Sequence, residues 1–198
     1  MQISHAYKFI FFDSPKTASI STKRTLKKYV DIWGVDAVDD NKSPYYHHVE
    51  NSVIQKEFVD IWDSYFKFCF VRNPWDKIVS HYFFNRYGSE FIHNTFDYAK
   101  TTFEDFVENH VMNENDCLLC KKQSVWYSGL DYVARFENYE EEIHKIFKLV
   151  GINEEPKIFK INLSKHNFYT EYYNDTTIMM VYEKYKKDIE MYNYEFGE

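Results

Sequence analysis

The sequence predicts an α/β fold in which helices flank a central, parallel β-sheet. Short apolar runs occupy residues 8–13 and 66–71, and a weaker run occupies residues 131–136. Each run has the length and composition of a buried strand, and each is followed by a stretch with helical character. Strands that alternate with helices along a chain usually form a parallel sheet covered on both faces.

The length and composition indicate one folded domain over residues 1–198. The chain has 28% charged residues and only 5 Gly and 4 Pro, which excludes a linker or a disordered segment. A net charge of −7 argues against a nucleic acid partner. No apolar run approaches the roughly 20 residues that cross a bilayer, and the N-terminus lacks a basic segment followed by an apolar one. We therefore expect a cytoplasmic protein without a membrane span.

The first two strands lead into helices through short loops. The first run is followed by a Ser/Thr/Lys-rich stretch that has helical character up to Tyr29. The second run is followed by Arg72, Asn73 and Pro74; Asn73 suits an N-cap and Pro74 suits the first helical position. In open parallel sheets, ligands bind beyond the carboxyl ends of the strands, so these loops are the candidate binding segments.

The second half of the chain continues the same pattern. Residues 131–136 lead into a helix that is capped by Asn138 and ends at Gly151. A last helix begins near Asp175. Its predicted apolar face comprises Ile178, Val181, Tyr182, Tyr185 and Ile189. Its lysines, expected to face water, are Lys184, Lys186 and Lys187.

The loop after the first strand, residues 14–21, has the composition of an anion-binding segment. Backbone N–H groups at a helix start can hold an anion, Lys16 adds a mobile charge, and Thr17, Ser19 or Ser21 adds a hydroxyl donor. The loop is not a Walker A motif, because the required glycines are absent and Lys16 precedes the small residues. A lysine-bearing loop that is merely capped by serines is the alternative.

The segment after the second strand has a second phosphate-binding pattern. Arg72 ends the strand, and Ser80 lies on the second turn of the following helix. A planar guanidinium can bind two phosphate oxygens, and a nearby hydroxyl can add a third contact. The alternative is that Arg72 pairs with a neighbouring acid such as Asp76.

Taken together, these segments resemble the PAPS-dependent sulfotransferases, in particular the branch of carbohydrate sulfotransferases and their bacterial relatives. Residues 15–21 are similar to the family's PKTAGTS loop, which binds the 5′-phosphosulfate of PAPS. Residues 70–77 with Ser80 are similar to its FVRNPWDR segment and the serine that follows. Further stretches that resemble the family are residues 133–138, 169–173 and 188–196. The resemblance implies the P-loop-NTPase-like sulfotransferase fold, an α/β sheet flanked by helices.

The resemblance also implies which residues bind the sulfuryl donor. The expected contacts to the 5′-phosphosulfate come from Lys16, Thr17, Ala18, Ser19, Ile20 and Ser21. Those to the 3′-phosphate come from Arg72, Ser80 and, in a basic segment near the nucleotide, Lys165. Two positions depart from the family pattern: Ser19 replaces a glycine, and Ile20 stands where a hydroxyl residue is common, which leaves Ser21 and Thr22 to compensate.

The implied reaction is in-line transfer of a sulfuryl group from PAPS to an acceptor hydroxyl. Lys16 would stabilise the charge on the leaving phosphate, a role that needs no metal. The hydroxyl needs a base, and His47, His48 and Glu50 lie between the two motifs. His48 aligns best with the family's histidine, but adjacent histidines on an exposed loop are an alternative. The acceptor, a carbohydrate or a small molecule, stays open; residues 87–122 are expected to shape its pocket.

Two rival functions follow from the same residues. A P-loop-type kinase or nucleotide hydrolase would use ATP and magnesium, but the Walker A loop that it requires is absent. A catalytically silent protein could bind the nucleotide as a sensor or scaffold. The oligomeric state is not indicated by the sequence.

Several other residues are interpreted as structural. Trp75 is expected to anchor a helix, and Arg135 to pair with Glu137. In a chain with 18 tyrosines, packing is also the favoured role of Tyr169, Tyr172 and Tyr173, rather than stacking on a sugar. Cys117 and Cys120 form a lone CxxC pair without a second pair or nearby histidines at ligand spacing, so the sequence predicts no metal ligands.

Overall fold

A computed structural model describes residues 1–33, 48–87, 100–113, 117–161 and 166–198, with the side chains of residues 85–87 left out. The strands are β1 (Gln2–Ser4), β2 (Phe9–Phe12), β3 (Ile32–Trp33), β4 (Phe66–Val71) and β5 (Tyr132–Arg135). The α-helices are α1 (Ser19–Leu26), α2 (Asn51–Glu57), α3 (Val59–Trp62), α4 (Pro74–Tyr87), α5 (Phe103–Asp105), α6 (Ser124–Tyr127), α7 (Tyr139–Leu149) and α8 (Asp175–Tyr192). A π-helical segment spans Phe106–Val111, and short 3-10 helices span Lys27–Tyr29, Leu118–Cys120, Phe136–Asn138 and Tyr169–Tyr172.

The described strands form one sheet in the order β3-β1-β2-β4-β5. The three predicted strands are its parallel part, because β2 pairs in parallel with β4 and β4 with β5. The α/β fold class is therefore confirmed. The antiparallel strand β1 and the two-residue β3 were not predicted. Both are too short to show an apolar run or a clear alternation.

One face of the sheet is covered by α7. Phe9 and Phe11 of β2 and Phe68 of β4 belong to a buried cluster with the apolar stripe of the helix. That stripe consists of the predicted residues Ile143, Ile146, Phe147 and Val150. Burial of each such side chain stabilises the fold by about 1.5–3 kcal/mol. Gly151 ends the helix as predicted, with a positive φ of 77° that a glycine adopts without strain.

The opposite face of the sheet is buried as well. Ile10 and Phe12 of β2 and Cys69 of β4 are fully covered, and the Phe12 ring meets the Trp62 ring of α3 at 5.9 Å. Helix α6 also contacts β4. Coverage of both faces, as the alternation of strands and helices predicted, is thus observed.

Contacts among the described residues group the chain into two compact units. The first unit comprises Met1–Val71 and Gln123–Asn162 and contains the sheet. The second comprises Arg72–Lys122 and Leu163–Glu198. The single domain over residues 1–198 stays a prediction.

Helix α8 of the second unit begins where it was predicted. Asn174 caps it, since its side chain accepts from the backbone N–H of Thr177 at 2.8 Å and the Thr177 hydroxyl accepts in return. One expectation was wrong: Lys184 does not face water but donates to the carbonyl oxygen of Val111. Its partial burial lowers the pKa of Lys184. No helix in the described ranges has the length and apolar character that crossing a membrane requires.

Candidate active site

The carboxylate of Asp13, immediately after β2, pairs with two positively charged groups of the first unit. It is fully buried and lies 2.6 Å from the ammonium nitrogen of Lys23 on α1 and 2.5 Å from the backbone nitrogen of Met1. The pairing with Lys23 ties the end of the strand to the first helix. Asp13 was not predicted as a site residue, although an acid directly after a buried strand is a usable signal.

The backbone of the loop between Asp13 and α1 is strained. Lys16 and Ala18 adopt the left-handed conformation, with φ values of 63° and 60°, which costs a non-glycine residue about 1–2 kcal/mol. Such turns can direct successive N–H groups to one side and form a concave anion site. Ser19 lies inside α1 and does not have a positive φ, so its position does not require the glycine that the family usually has there.

The start of α1 is suited to an anion. No side chain caps the helix at Ala18, and its first turn contains no acidic residue. The first N–H groups of a helix have no partner within it, and the helix dipole makes this end positive. The buried hydroxyl oxygen of Ser14 also has no hydrogen-bond partner among the described residues. An oxyanion beside this loop would supply acceptors for these donors.

The other hydroxyls of the loop already have partners in the protein. Thr17 and Ser19 both donate to the carbonyl oxygen of Ser14, at 2.9 and 3.2 Å. Ser21 accepts from the backbone N–H of Ile161 at 3.0 Å. Thr22 is 3.1 Å from the carbonyl oxygen of Ala18 and 3.2 Å from the hydroxyl of Tyr139. The side chain of Ile20 is partly exposed. Ser21 and Thr22 therefore have structural partners, and their roles in binding stay predictions.

His48 contacts the same Asp13. Its ring Nδ1 lies 2.5 Å from the carbonyl oxygen of Asp13 and 3.7 Å from the carboxylate. Because a carbonyl oxygen only accepts, Nδ1 carries a proton, and in the neutral imidazole Nε2 is then the ring atom with a lone pair. The His48 carbonyl accepts from the indole N–H of Trp126 at 3.1 Å, which holds the backbone in place. These contacts hold the His48 ring and backbone, and the role of His48 as a base stays a prediction.

Glu50 and His47 are the two other candidate bases. Glu50 precedes α2 at its N-cap position, without a capping bond from its side chain. His47 lies outside the described residues, as does the predicted phosphate contact Lys165.

Arg72 and Ser80 belong to the second unit. The Nε atom of Arg72 donates to the carboxylate of Asp76 at 2.7 Å, and both side chains are largely buried. The structure therefore shows the pairing that was the alternative to phosphate binding. Ser80 is also buried, on α4.

The predicted cap of α4 is present. The side-chain oxygen of Asn73 accepts from the backbone N–H of Trp75 at 3.1 Å, and the amide nitrogen of Asn73 donates to the Glu195 carbonyl at 2.9 Å. Lys77 is fully buried and donates to the carbonyl oxygen of Lys121 at 2.8 Å. Burial lowers the pKa of Lys77 to about 8, although Asp188 opposes that shift.

The residues interpreted as structural have structural contacts. The buried indole of Trp75 donates to the Ile178 carbonyl at 3.0 Å. The Tyr173 hydroxyl donates to the Trp75 carbonyl at 2.9 Å, and burial raises the pKa of Tyr173 well above its usual value. Tyr169 accepts from Gly197 at 2.6 Å. Tyr172 accepts from Asn167 at 2.9 Å, and Arg135 lies 3.7 Å from Glu137.

The fold and the loop define a class of protein. A lysine-bearing, left-handed loop joins the first parallel strand of an α/β sheet to an uncapped helix, which is the architecture of proteins that bind phosphate-like anions. The family model described as the sulfotransferase family matches residues 1–195. The chain therefore belongs to the sulfotransferase family.

Individual relatives have low sequence identity to this chain. An uncharacterized protein of Archaeoglobus fulgidus is 32% identical over 117 residues, which are 55% of this chain and 86% of that protein. Carbohydrate sulfotransferase 11 of Rattus norvegicus is 25% identical, and the match covers 97% of this chain; the Mus musculus protein gives the same values. The chain spans 66% of the length of these rodent proteins. No solved structure matches the chain significantly.

Proposed function

We propose that this protein transfers a sulfuryl group from PAPS to an acceptor hydroxyl of a carbohydrate or a small molecule. The observation that carries the proposal is the left-handed loop with Lys16 in front of the uncapped helix α1, in a chain of the sulfotransferase family. The loop fits a sulfated phosphate because its main-chain donors, the Ser14 hydroxyl and the lysine all favour an anion.

The proposed binding of the donor uses both motifs. The loop of residues 14–21 would hold the 5′-phosphosulfate, with Lys16 neutralising the charge that develops on the leaving phosphate. Arg72 and Ser80, with Lys165, would bind the 3′-phosphate. Since Asp76 engages the Nε atom of Arg72, a phosphate would bind through the terminal nitrogens of the guanidinium or would displace Asp76.

His48 is the proposed general base. Its Nε2 would accept the proton of the acceptor hydroxyl, while the Nδ1–H continues to donate to the Asp13 carbonyl. The nearby Asp13 carboxylate would stabilise the resulting imidazolium. In the transfer, a bond forms between the acceptor oxygen and sulfur as the bond from sulfur to the bridging oxygen breaks, and 3′-phosphoadenosine 5′-phosphate leaves. Positioning and charge stabilisation supply most of the catalysis in transfers of this kind.

The proposed acceptor class rests on the relatives. The rodent proteins that match 97% of the chain are named carbohydrate sulfotransferases, which supports a sugar hydroxyl. A small alcohol satisfies the same chemistry, because His48 needs only a hydroxyl proton within reach.

The donor is tested by calorimetric titration with 3′-phosphoadenosine 5′-phosphate, beside AMP, ADP and ATP with and without magnesium. We expect binding of the 3′-phosphorylated nucleotide to be the tightest, because Arg72 and Ser80 add contacts that AMP cannot make. Equal or tighter binding of ATP with magnesium would overturn the proposal in favour of a kinase or hydrolase.

Catalysis is tested separately with sulfur-labelled PAPS and a panel of sugars and simple alcohols. Transfer of label to one of them is the expected result. Nucleotide binding without transfer to any acceptor in the panel would instead support a silent nucleotide-binding protein.

A further inference from the structure

Two imidazoles and two thiols come together in the second unit. The residues are His81, His110, Cys117 and Cys120, and one potential ligand atom of each lies within 4.8 Å of all the others. His81 is on α4, and His110 is in the π-helical segment. Cys117 directly precedes the 3-10 helix Leu118–Cys120, and Cys120 is its last residue. The fold thus brings two histidines to the CxxC pair, which has no histidines at ligand spacing in the sequence.

The cluster is buried and ordered by its surroundings. The His81, His110 and Cys120 side chains are almost fully covered, and Cys117 is half-buried. The Cys120 sulfur lies 3.9 Å from Nδ1 of His81. The Phe106 ring packs against both imidazoles, with centroid distances of 5.1 Å to His81 and 5.2 Å to His110. This apolar wall restricts both the ring orientations and the access of water.

The cluster matches a tetrahedral zinc site in its ligands and nearly in its dimensions. Zinc bonds of about 2.3 Å to sulfur and 2.0–2.1 Å to nitrogen place neighbouring ligand atoms about 3.3–3.8 Å apart in a tetrahedron. The observed limit of 4.8 Å requires each ligand atom to move by roughly 1 Å or less. The C-x2-C spacing is that of structural zinc sites, and two sulfurs with two nitrogens favour zinc over harder cations.

We propose that His81, His110, Cys117 and Cys120 bind one zinc ion in a closed, four-coordinate structural site. Both thiols would bind as thiolates and release their protons to solvent, so the ion, two thiolates and two neutral imidazoles form a neutral group. All four positions are filled by the protein, which leaves none for a substrate. The site is therefore structural, and the zinc ion would take no part in the chemistry of the proposed sulfuryl transfer.

The contacts behind the ligands support a rigid site. The Tyr185 hydroxyl donates to the Cys120 carbonyl at 2.7 Å, and the Cys120 N–H donates to the Cys117 carbonyl at 2.9 Å. These bonds hold the turn that presents the two sulfurs, as outer contacts do in metal sites. A disulfide between Cys117 and Cys120 is the main rival, but it would give the two converging imidazoles no role.

The site would cross-link three segments of the second unit. They are α4, the π-helical segment and the CxxC turn. His81 directly follows Ser80, the predicted phosphate contact, so zinc would also anchor the helix that presents this residue. The π-helical segment and the CxxC turn lie within residues 87–122, the region expected to shape the acceptor pocket.

The test is the metal content of the full chain, produced without a histidine tag and purified under reducing conditions. We expect about one zinc per chain by elemental analysis after exhaustive dialysis, as for a site of four protein ligands. Replacement by Co²⁺ should give the strong visible absorption of tetrahedral cobalt and a thiolate-to-cobalt charge-transfer band in the near ultraviolet. A folded wild-type protein that binds neither metal, or whose reduced thiols show no change on cobalt addition, would sink the proposal.

Variants locate the site. Cys117→Ser and His110→Asn each remove one ligand atom, and each should weaken zinc retention and alter the cobalt spectrum. Cys69→Ala and His144→Asn are the matched controls, because Cys69 is a buried thiol in β4 and His144 an exposed imidazole on α7. Unchanged metal content in both ligand variants would overturn the assignment. If a variant does not fold, the wild-type cobalt spectrum still reports thiolate ligation.

Discussion

Asp13 links the charged residues of the first unit at the scale of single side chains. Its carboxylate pairs with Lys23, and its carbonyl oxygen holds the ring of His48. The strained loop that carries Lys16 begins one residue later. Removing one partner of a buried ion pair is strongly destabilising, because an uncompensated charge is left in the interior. His48, the proposed base, and Lys16, the proposed electrostatic catalyst, therefore both lie near the C-terminal end of β2.

Lys16→Ala should lower turnover about 100-fold to 1,000-fold, because one charge that stabilises the leaving phosphate is lost in the transition state. The measurement is transfer of label from PAPS at saturating donor. Lys27→Ala is the control, since Lys27 is an exposed lysine just after α1. Turnover within a few-fold of wild type in Lys16→Ala would remove Lys16 from the catalytic machinery.

His48→Asn should lower turnover by about 100-fold or more while leaving nucleotide affinity close to wild type. The asparagine amide can still donate to the Asp13 carbonyl, so the change removes the base and keeps the contact. The wild-type rate should fall towards acid pH, because a protonated imidazole cannot accept a proton, and the variant should lose this dependence. His144→Asn controls for a histidine change elsewhere. Normal turnover in His48→Asn would transfer the role to Glu50 or His47.

Arg72→Lys should weaken the binding of 3′-phosphoadenosine 5′-phosphate by about 10-fold or more, since an ammonium cannot form the two parallel hydrogen bonds of a guanidinium. Affinity for AMP should not change, because AMP has no 3′-phosphate. Calorimetry on both ligands checks this, with the exposed Arg24→Lys on α1 as a control. An equal loss for AMP would indicate that Arg72 acts through its ion pair with Asp76 and not through the phosphate.

Helix α7 illustrates how an element can be read from its own sequence. Its apolar residues recur at helical spacing, and the structure buries the same residues against the sheet. Helix propensity alone would not hold eleven residues in place, so this packing supplies most of the stability. The predicted cap is the exception, because the Asn138 side chain makes no capping bond and a 3-10 turn precedes the helix.

Ile143→Ala in α7 should destabilise the protein by about 2–5 kcal/mol, because it removes a fully buried side chain and leaves a cavity. Leu149→Ala, at the exposed end of the same helix, should change the free energy of unfolding by about 0.5 kcal/mol or less. Urea unfolding followed by circular dichroism measures both. Equal effects of the two substitutions would contradict the packing of α7 on the sheet.

At the scale of the whole molecule, ligand binding should stabilise the folded state. With 3′-phosphoadenosine 5′-phosphate at a free concentration 100 times its Kd, the free energy of unfolding should rise by about 2.7 kcal/mol. Thermal or urea unfolding of the wild-type protein measures this gain. Arg72→Lys at the same ligand concentration should show a smaller gain. No gain in the wild-type protein would mean that the nucleotide does not bind the native fold.

The sequence by itself determined the parallel part of the sheet, the helix α7 that covers it, the helix α8 of the second unit, and the family. Each of these has a local signal in the sequence. The strands β2 and β4 are apolar runs, α7 has apolar residues at helical spacing, and residues 14–21 form a recognisable loop motif. Local signals can be read without knowing what lies nearby in space.

Only the tertiary structure decided which distant residues meet. Arg72 pairs with Asp76 where both side chains are largely buried, and this burial comes from the fold. The short segment β1 is a strand because it pairs with β2 in the sheet. The thiols of the CxxC pair meet His81, which is 39 residues away from Cys120 in the chain. No spacing rule predicts such a contact, because the fold and not the local sequence brings these side chains within bonding distance.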